Sequence, residues 1–180
     1  HISLWNKNKN LFLEKGDKLG LTRLAYNFLG GILNSAEGLS AFFNPSINSY
    51  RRIDAPVTAS GATWSPSKVS YTGNNRTHMI RVPDPGRFEL RLMDGSVNPY
   101  LLQAGIIAAG IDGIEKKRDP GQPLFINMYT DGDNYPNIKK LPSDLEAAIE
   151  HLSKSVVLLT AFGEKNITSY LKLKEQELKD

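Results

Sequence analysis

Arg76, Arg81, Arg87 and Arg91 lie within sixteen residues of one another and surround a single acid, Glu89. Read as a strand, Arg87–Leu92 alternates strictly. Arg87, Glu89 and Arg91 share one face, and Phe88, Leu90 and Leu92 share the other. One carboxylate cannot neutralise that much positive charge. A surplus of planar guanidinium groups suits an anionic ligand with several oxygens, such as a carboxylate or phosphate. The same pattern also fits a solvated sheet face carrying weak ion pairs. Spacing alone leaves both readings open.

The elements that must position these residues are legible on either side. Thr77–Val82 reads as a strand, Pro83–Gly86 as a turn and Arg87–Leu92 as the returning strand of a hairpin. Arg76 and Arg81 have opposite strand parity, so Arg76 belongs to the loop before the strand. Asn98 and Pro99 are favoured at the cap and first position of a helix over Pro99–Lys117. That helix is almost wholly apolar and is expected to be buried. Leu21–Leu33 has the helical apolar period, Asn34–Phe43 continues as a second piece, and Gly30-Gly31 marks a close approach to a neighbour. Ile2–Trp5 is expected as a short strand. Asn44–Arg52 is rich in turn formers, and residues 54–75 read as a long loop. After the Pro/Gly-rich connector Asp119–Pro142, Ser143 and Glu146 form a capping box for a helix to about Leu152. A helix over Ser155–Phe162 stops at Gly163, and Asn166 caps a last helix, Ile167–Lys179.

The chain has 180 residues and a net charge of +3. That length is enough for one domain with a sizeable core. Its pI of about 9.0 is only mildly basic. Nucleic-acid binding usually needs a concentrated basic stripe and is not indicated. There is no cysteine, which excludes disulfides and thiolate metal sites and fits a cytoplasmic protein. The longest apolar run, Ala104–Ile114, is interrupted by glycine and falls short of the roughly 20 residues of a membrane span. No secretory signal is expected.

Several motifs resemble the glutamine synthetase family. NPSINSYRR at Asn44–Arg52 is similar to its NPT-x-NSYKR, and NNRTHMIRVP at Asn74–Pro83 to its NRS-x-x-IR-(I/V)-P. GRFELRLMDGSVNPYLLQAGIIAAGIDGIEKK, from Gly86 to Lys117, is similar to its R-(I/V)-E-x-R…NPYL…AAGLDGI segment, and HISLW to the end of its G-x-H-x-H-x-SLW. The motifs are long, ordered and correctly spaced. The resemblance implies an α/β (α+β) fold: an antiparallel curved sheet forming part of a catalytic barrel, backed by helices. Residues 1–118 would be the C-terminal part of the catalytic domain and 119–180 its helical extension.

The implied activity is ATP-dependent formation of a γ-glutamyl amide from glutamate and ammonia through a γ-glutamyl phosphate. The resemblance implies roles residue by residue. Arg76 would stabilise the transferred phosphoryl group, as the catalytic arginine and an ATP ligand. Arg81, His1 and Ser3 would contact ATP, and Arg52 and Arg91 would grip glutamate. Glu89 would ligate Mg2+ or Mn2+, with a structural ion pair to Arg87 or Arg91 as the alternative. His78 matches no family site and reads as structural, and His151 as a surface residue. Two departures stand out. The family's flap glutamate after SYKR is absent from RRIDAPVTASGATWSPS, and its nucleotide-binding lysine has no counterpart, a place Arg87 would fill in part. Both are similar to the branch that includes glutamate–methylamine ligases, so the amine partner is ammonia or a small amine. Family active sites form between subunits of a homo-oligomeric ring, and the remaining metal carboxylates lie upstream of His1. The 180 residues alone are therefore expected to lack ligase activity.

Overall fold

The computed structural model describes residues 1–53 and 65–179. The expected hairpin is present as β4 (Ile80–Asp84) and β5 (Arg87–Leu90). They are antiparallel, with Ile80 opposite Leu90, Arg81 opposite Glu89 and Asp84 opposite Arg87. Pro85 and Gly86 make the turn, and Gly86 takes a φ of 78°, the left-handed value that glycine accepts without strain. A register shift between Arg81 and Asp84 bends the pair. A third strand, β3 (Tyr71–Thr72), joins β4 in parallel, so this sheet is mixed. The expected strand at Ile2–Trp5 shrinks to one bridge: Ile2 exchanges backbone bonds with Phe88 at 2.8 and 3.1 Å. The chain then leaves the sheet for a small separate hairpin, β1 (Trp5–Asn6) and β2 (Lys9–Asn10).

Ile80, Val82, Phe88 and Leu90 point inward and are buried. Phe88 stacks on Phe12 with centroids 5.6 Å apart, and Phe28 meets Phe12 edge-on at 5.5 Å. Phe28 belongs to α1 (Arg23–Phe43), which backs the sheet. The Thr22 hydroxyl caps α1 by accepting the Ala25 N–H at 3.2 Å. The two helical pieces expected here are one continuous helix. Gly30-Gly31 does not break it because the pair is buried against α3 (Pro99–Glu115), and that packing offsets the glycine cost. A Cβ on Gly31 would lie 1.9 Å from the Ala109 carbonyl and 2.8 Å from Gly113.

α3 begins as the sequence indicates: the Asn98 side chain accepts the N–H of Tyr100 at 2.9 Å and of Leu101 at 3.3 Å. It is not buried all round, however. Tyr100 is 82% exposed, Ile107 54% and Ile111 46%. The helix packs on α1 through its small residues and presents larger apolar ones outward, so apolar composition overstated its burial.

In the turn-rich stretch 44–52, one helical turn, α2 (Ile47–Tyr50), forms because Ser46 and Ser49 cap each other's backbone N–H groups. α4 (Leu145–Ser153) is capped by Asp144 rather than Ser143: its carboxylate accepts the Ala147 N–H at 2.7 Å. The charged acceptor one residue later supplants the expected box. α5 (Val156–Phe162) stops at Gly163, as expected. α6 (Glu164–Glu177) starts at once, earlier than Asn166, whose amide instead bonds back to the Phe162 carbonyl. α6 also reaches back along the chain. The Tyr170 hydroxyl donates to the Ala41 carbonyl at 2.6 Å, and Glu177 accepts the Ile47 N–H at 3.2 Å.

Candidate functional site: a cationic sheet face

The outward face of the β4–β5 hairpin carries Arg81 and Glu89, placed opposite each other by the register. Arg81 Nη1 donates to Glu89 Oε2 at 2.7 Å. Its Nε and Nη2 both donate to Asn74 Oδ1, at 2.9 and 2.5 Å, which fixes the guanidinium plane. Glu89 thus pairs across the hairpin, and not along its own strand with Arg87 or Arg91. Arg87 is exposed and bonded instead to Asp84 across the turn, with Nε 3.1 Å from the carboxylate.

Arg91 lies just past the end of β5 and is half-buried. Its Nη1 donates to the Arg76 carbonyl. Burial weakens its hold on its proton, Glu89 and Tyr129 strengthen it, and Arg81 and Arg76 weaken it again. Like charges are therefore gathered here, which normally calls for an anion. Tyr129 faces this group from the connector. Burial pushes its hydroxyl up to about 12, against the influence of Arg91.

Arg76 sits in the loop between β3 and β4, as its parity required, with its side chain exposed. Its neighbours are tied down. Asn75 Nδ2 donates to the Ile126 carbonyl at 2.9 Å, and Thr77 Oγ1 accepts the Met128 N–H at 2.9 Å. His78 is fully buried, with Nε2 3.0 Å from the same Ile126 carbonyl and Nδ1 3.1 Å from the Ser70 hydroxyl. A carbonyl only accepts, so Nε2 carries the proton and Nδ1 accepts from Ser70. Burial lowers the proton affinity of the ring, partly countered by the bond to Ile126. The structural role expected of His78 is met, and His151 is exposed as expected.

Arg52 approaches the region from α2. Its Nη2 donates to the Leu92 carbonyl at 3.2 Å and to Asn44 Oδ1 at 3.3 Å. Its Nε is buried and has no acceptor among the described residues. Asp94 sits nearby. Burial raises the affinity of its carboxyl for a proton, but bonds from Ser49 and Ser96 and the charge of Arg52 outweigh this and hold it below the usual range. His1 is exposed. Continuing the Ile2–Phe88 register by one residue sets His1 opposite Glu89 and Ser3 opposite Arg87. The Ser3 hydroxyl accepts the Trp5 indole N–H at 3.0 Å.

The sheet therefore gathers His1, Arg81, Glu89, Arg91 and the Arg76 loop, with Arg52 at its rim. Among the described residues no group of three or more His, Asp or Glu could hold a metal ion, so Glu89 alone does not make a metal centre. Also among them, no helix is long and apolar enough to cross a membrane. Within the segment where the flap glutamate was sought, residues 54–64 lie outside the described residues. Sequence reasoning missed Asn74, Asn75 and Thr77. Their signal was the Asn-Asn pair, a favoured turn former whose side chains bond nearby backbone.

A cationic, mixed-sheet wall with one carboxylate, backed by a long helix, has the chemistry that suits an anion in an α/β protein. The match that identifies it runs the whole chain: residues 1–180 match the family described as glutamine synthetase, catalytic domain, and the chain belongs to that family. It is 51% identical over 98% of its length to a glutamine synthetase of Rhizobium meliloti (strain 1021). It is 42% identical, also over 98%, to a glutamate–methylamine ligase of Methyloversatilis universalis. It spans only 41% of each of those relatives. The solved GmaS/ADP complex (conformation 1) superposes with a TM-score of 0.92 at 49% identity, covering 99% of this chain and 41% of that one.

Proposed function

We propose that this chain is part of an ATP-dependent ligase that forms a γ-glutamyl amide from glutamate and ammonia. The single observation that supports this best is the Arg81–Glu89 pair on the hairpin, with Arg91 just past its end bonded to the Arg76 loop, in a chain of this family. In the first step a glutamate side-chain carboxylate oxygen attacks the γ-phosphorus of ATP, and ADP leaves. In the second, the amine attacks the acyl carbon, inorganic phosphate leaves, and the amine gives up a proton. Both steps crowd negative oxygens together, which fixed cations stabilise.

Arg76, exposed on a tethered loop, would meet the transferred phosphoryl group. Arg81, with His1 and Ser3 beside β5, would hold the nucleotide phosphates, and exposed Arg87 would assist. Arg91 and Arg52 would take the glutamate α-carboxylate, and the unmet buried Nε of Arg52 suits such an acceptor. Glu89 is the residue that would ligate Mg2+ or Mn2+, a hard cation matched by carboxylate oxygen. When bound, that cation would neutralise phosphate oxygens. The other ligands would come from elsewhere in the full-length protein. We place the site between subunits of a homo-oligomer in the cytoplasm.

A second acceptor, methylamine or another small amine, is favoured by the likeness to the methylamine ligase and to the GmaS structures. The test is phosphate release by the full-length protein with ATP, Mg2+ or Mn2+ and glutamate, with ammonia or methylamine added in turn. The acceptor giving the higher kcat/KM decides between them. No release with any amine removes the ligase reading, and failure to bind ATP as well would mark a non-catalytic relative.

A further inference from the structure

Arg76 is exposed, yet the backbone on both sides of it is fixed from three directions. Asn75 bonds to the Ile126 carbonyl, and its Oδ1 accepts both the N–H and the hydroxyl of Thr77 at 2.9 Å. The Thr77 hydroxyl in turn accepts the Met128 N–H at 2.9 Å. That oxygen therefore joins the loop to a segment some 50 residues further along the chain. His78 adds a second bond to Ile126, and Arg91 holds the Arg76 carbonyl from the sheet side. An isolated surface arginine needs none of this. Holding a flexible side chain over a reacting group does, because a small misplacement of a catalytic group costs much of its effect.

We propose that Thr77 is a positioning residue: with Asn75 and His78 it braces the Arg76 loop against Ile126–Met128, so that the Arg76 guanidinium stays where phosphoryl transfer takes place. This rests on the ligase reading for the role of Arg76, but not for the brace itself. Thr77 reaches no substrate and acts only through Arg76. The connector that carries Ile126 and Met128 is thereby a working part of the site, not only a link between the sheet and the helices α4–α6.

The experiment compares full-length wild type with T77V, which keeps the volume and removes the hydroxyl, and T77S, which restores it. The expected result for T77V is a kcat about 10-fold lower with KM for ATP within about two-fold, and T77S returning to within about two-fold of wild type. Amide exchange is read in parallel. Residues 74–79 should exchange about 10-fold faster in T77V while α1 stays unchanged. A T77V with wild-type kcat, a loss that T77S does not restore, or faster exchange spread through α1 overturns the proposal. If the wild type itself turns over no amine, the ligase reading fails on its own. The brace is then judged by exchange alone: faster local exchange sustains it and unchanged exchange at 74–79 overturns it.

Discussion

Arg81 and Glu89 face each other across the β4–β5 hairpin, with Nη1 of one 2.7 Å from Oε2 of the other. The pair is largely buried, its side chains 12% and 25% exposed, so its attraction is set against the cost of desolvating both groups. Its value in the proposed enzyme is as a poised pair, each partner released to a ligand of opposite sign. E89Q, which keeps an acceptor oxygen for Arg81, should therefore lower the denaturation midpoint only modestly while lowering metal-dependent phosphate release by about 10- to 100-fold. R81M should raise KM for ATP by about 10-fold or more, the loss expected for a charge-assisted bond to phosphate. Equal effects of both variants on stability and turnover would point to a purely structural pair.

Asp112 gives the fold an acid-sensitive joint. Lys116 Nζ lies 2.6 Å from one of its oxygens, and Arg118 Nε bonds the other. Burial favours the protonated acid, but the two cations outweigh it and hold the carboxyl below its ordinary value of 3.8. A depressed carboxylate stabilises the folded state above the unfolded value, and that contribution is lost as pH falls through the lower folded value. Urea unfolding should thus show a decline below about pH 4 that is weaker in D112N. At neutral pH, D112N should cost about 2 kcal/mol or more, because Arg118 loses its charged acceptor. An unchanged acid limb in D112N would assign the decline to other carboxylates.

His78 has the opposite kind of charge but the same direction of pH dependence. Its folded-state proton affinity lies below the ordinary 6.5 because the ring is buried. Above pH 6.5 both states are neutral and stability is full. Below it the unfolded chain takes up a proton that the folded one refuses, so stability falls toward the lower folded value. Wild type should lose stability as pH falls below about 6.5, and H78Q, which keeps a donor toward Ile126 but does not titrate, should lose less. Parallel curves for the two proteins would remove His78 as the source.

The hairpin, the loop position of Arg76 and the start of α3 were legible because each is written locally, in parity, in Pro-Gly and in Asn-Pro. The Ser143 cap was misjudged for a local reason too: its neighbour Asp144 could also cap, and the charged residue prevailed. What sequence could not yield was pairing at a distance. Nothing in Arg81 says that its partner is Glu89 rather than an acid of the turn, and nothing in Thr77 points to Met128. The burial of α3 failed on the same ground. An apolar helix shows how much of its surface could be covered, not which side α1 covers.

The α1–α3 contact is tight enough to fail with one carbon. A Cβ on Gly31 meets the Ala109 carbonyl, and one on Gly113 would lie 2.2 Å from the Asn27 carbonyl. These are backbone atoms that cannot swing aside. G31A and G113A should each destabilise by about 3 kcal/mol, despite the better helix propensity of alanine. Chemical denaturation measures this, and a stabilised variant would show that the two helices can part without cost.

The bond from Glu177 to the Ile47 N–H spans 130 residues of chain. It closes α6 onto the turn that leads directly into Arg51 and Arg52. During synthesis the ribosome releases the Arg52 turn early and α6 late, at roughly 5–20 residues per second. For several seconds the turn exists without its latch. One of the proposed substrate arginines is thus made well before the residue that secures its turn, and the order of translation is not the order in which this part of the site is finished.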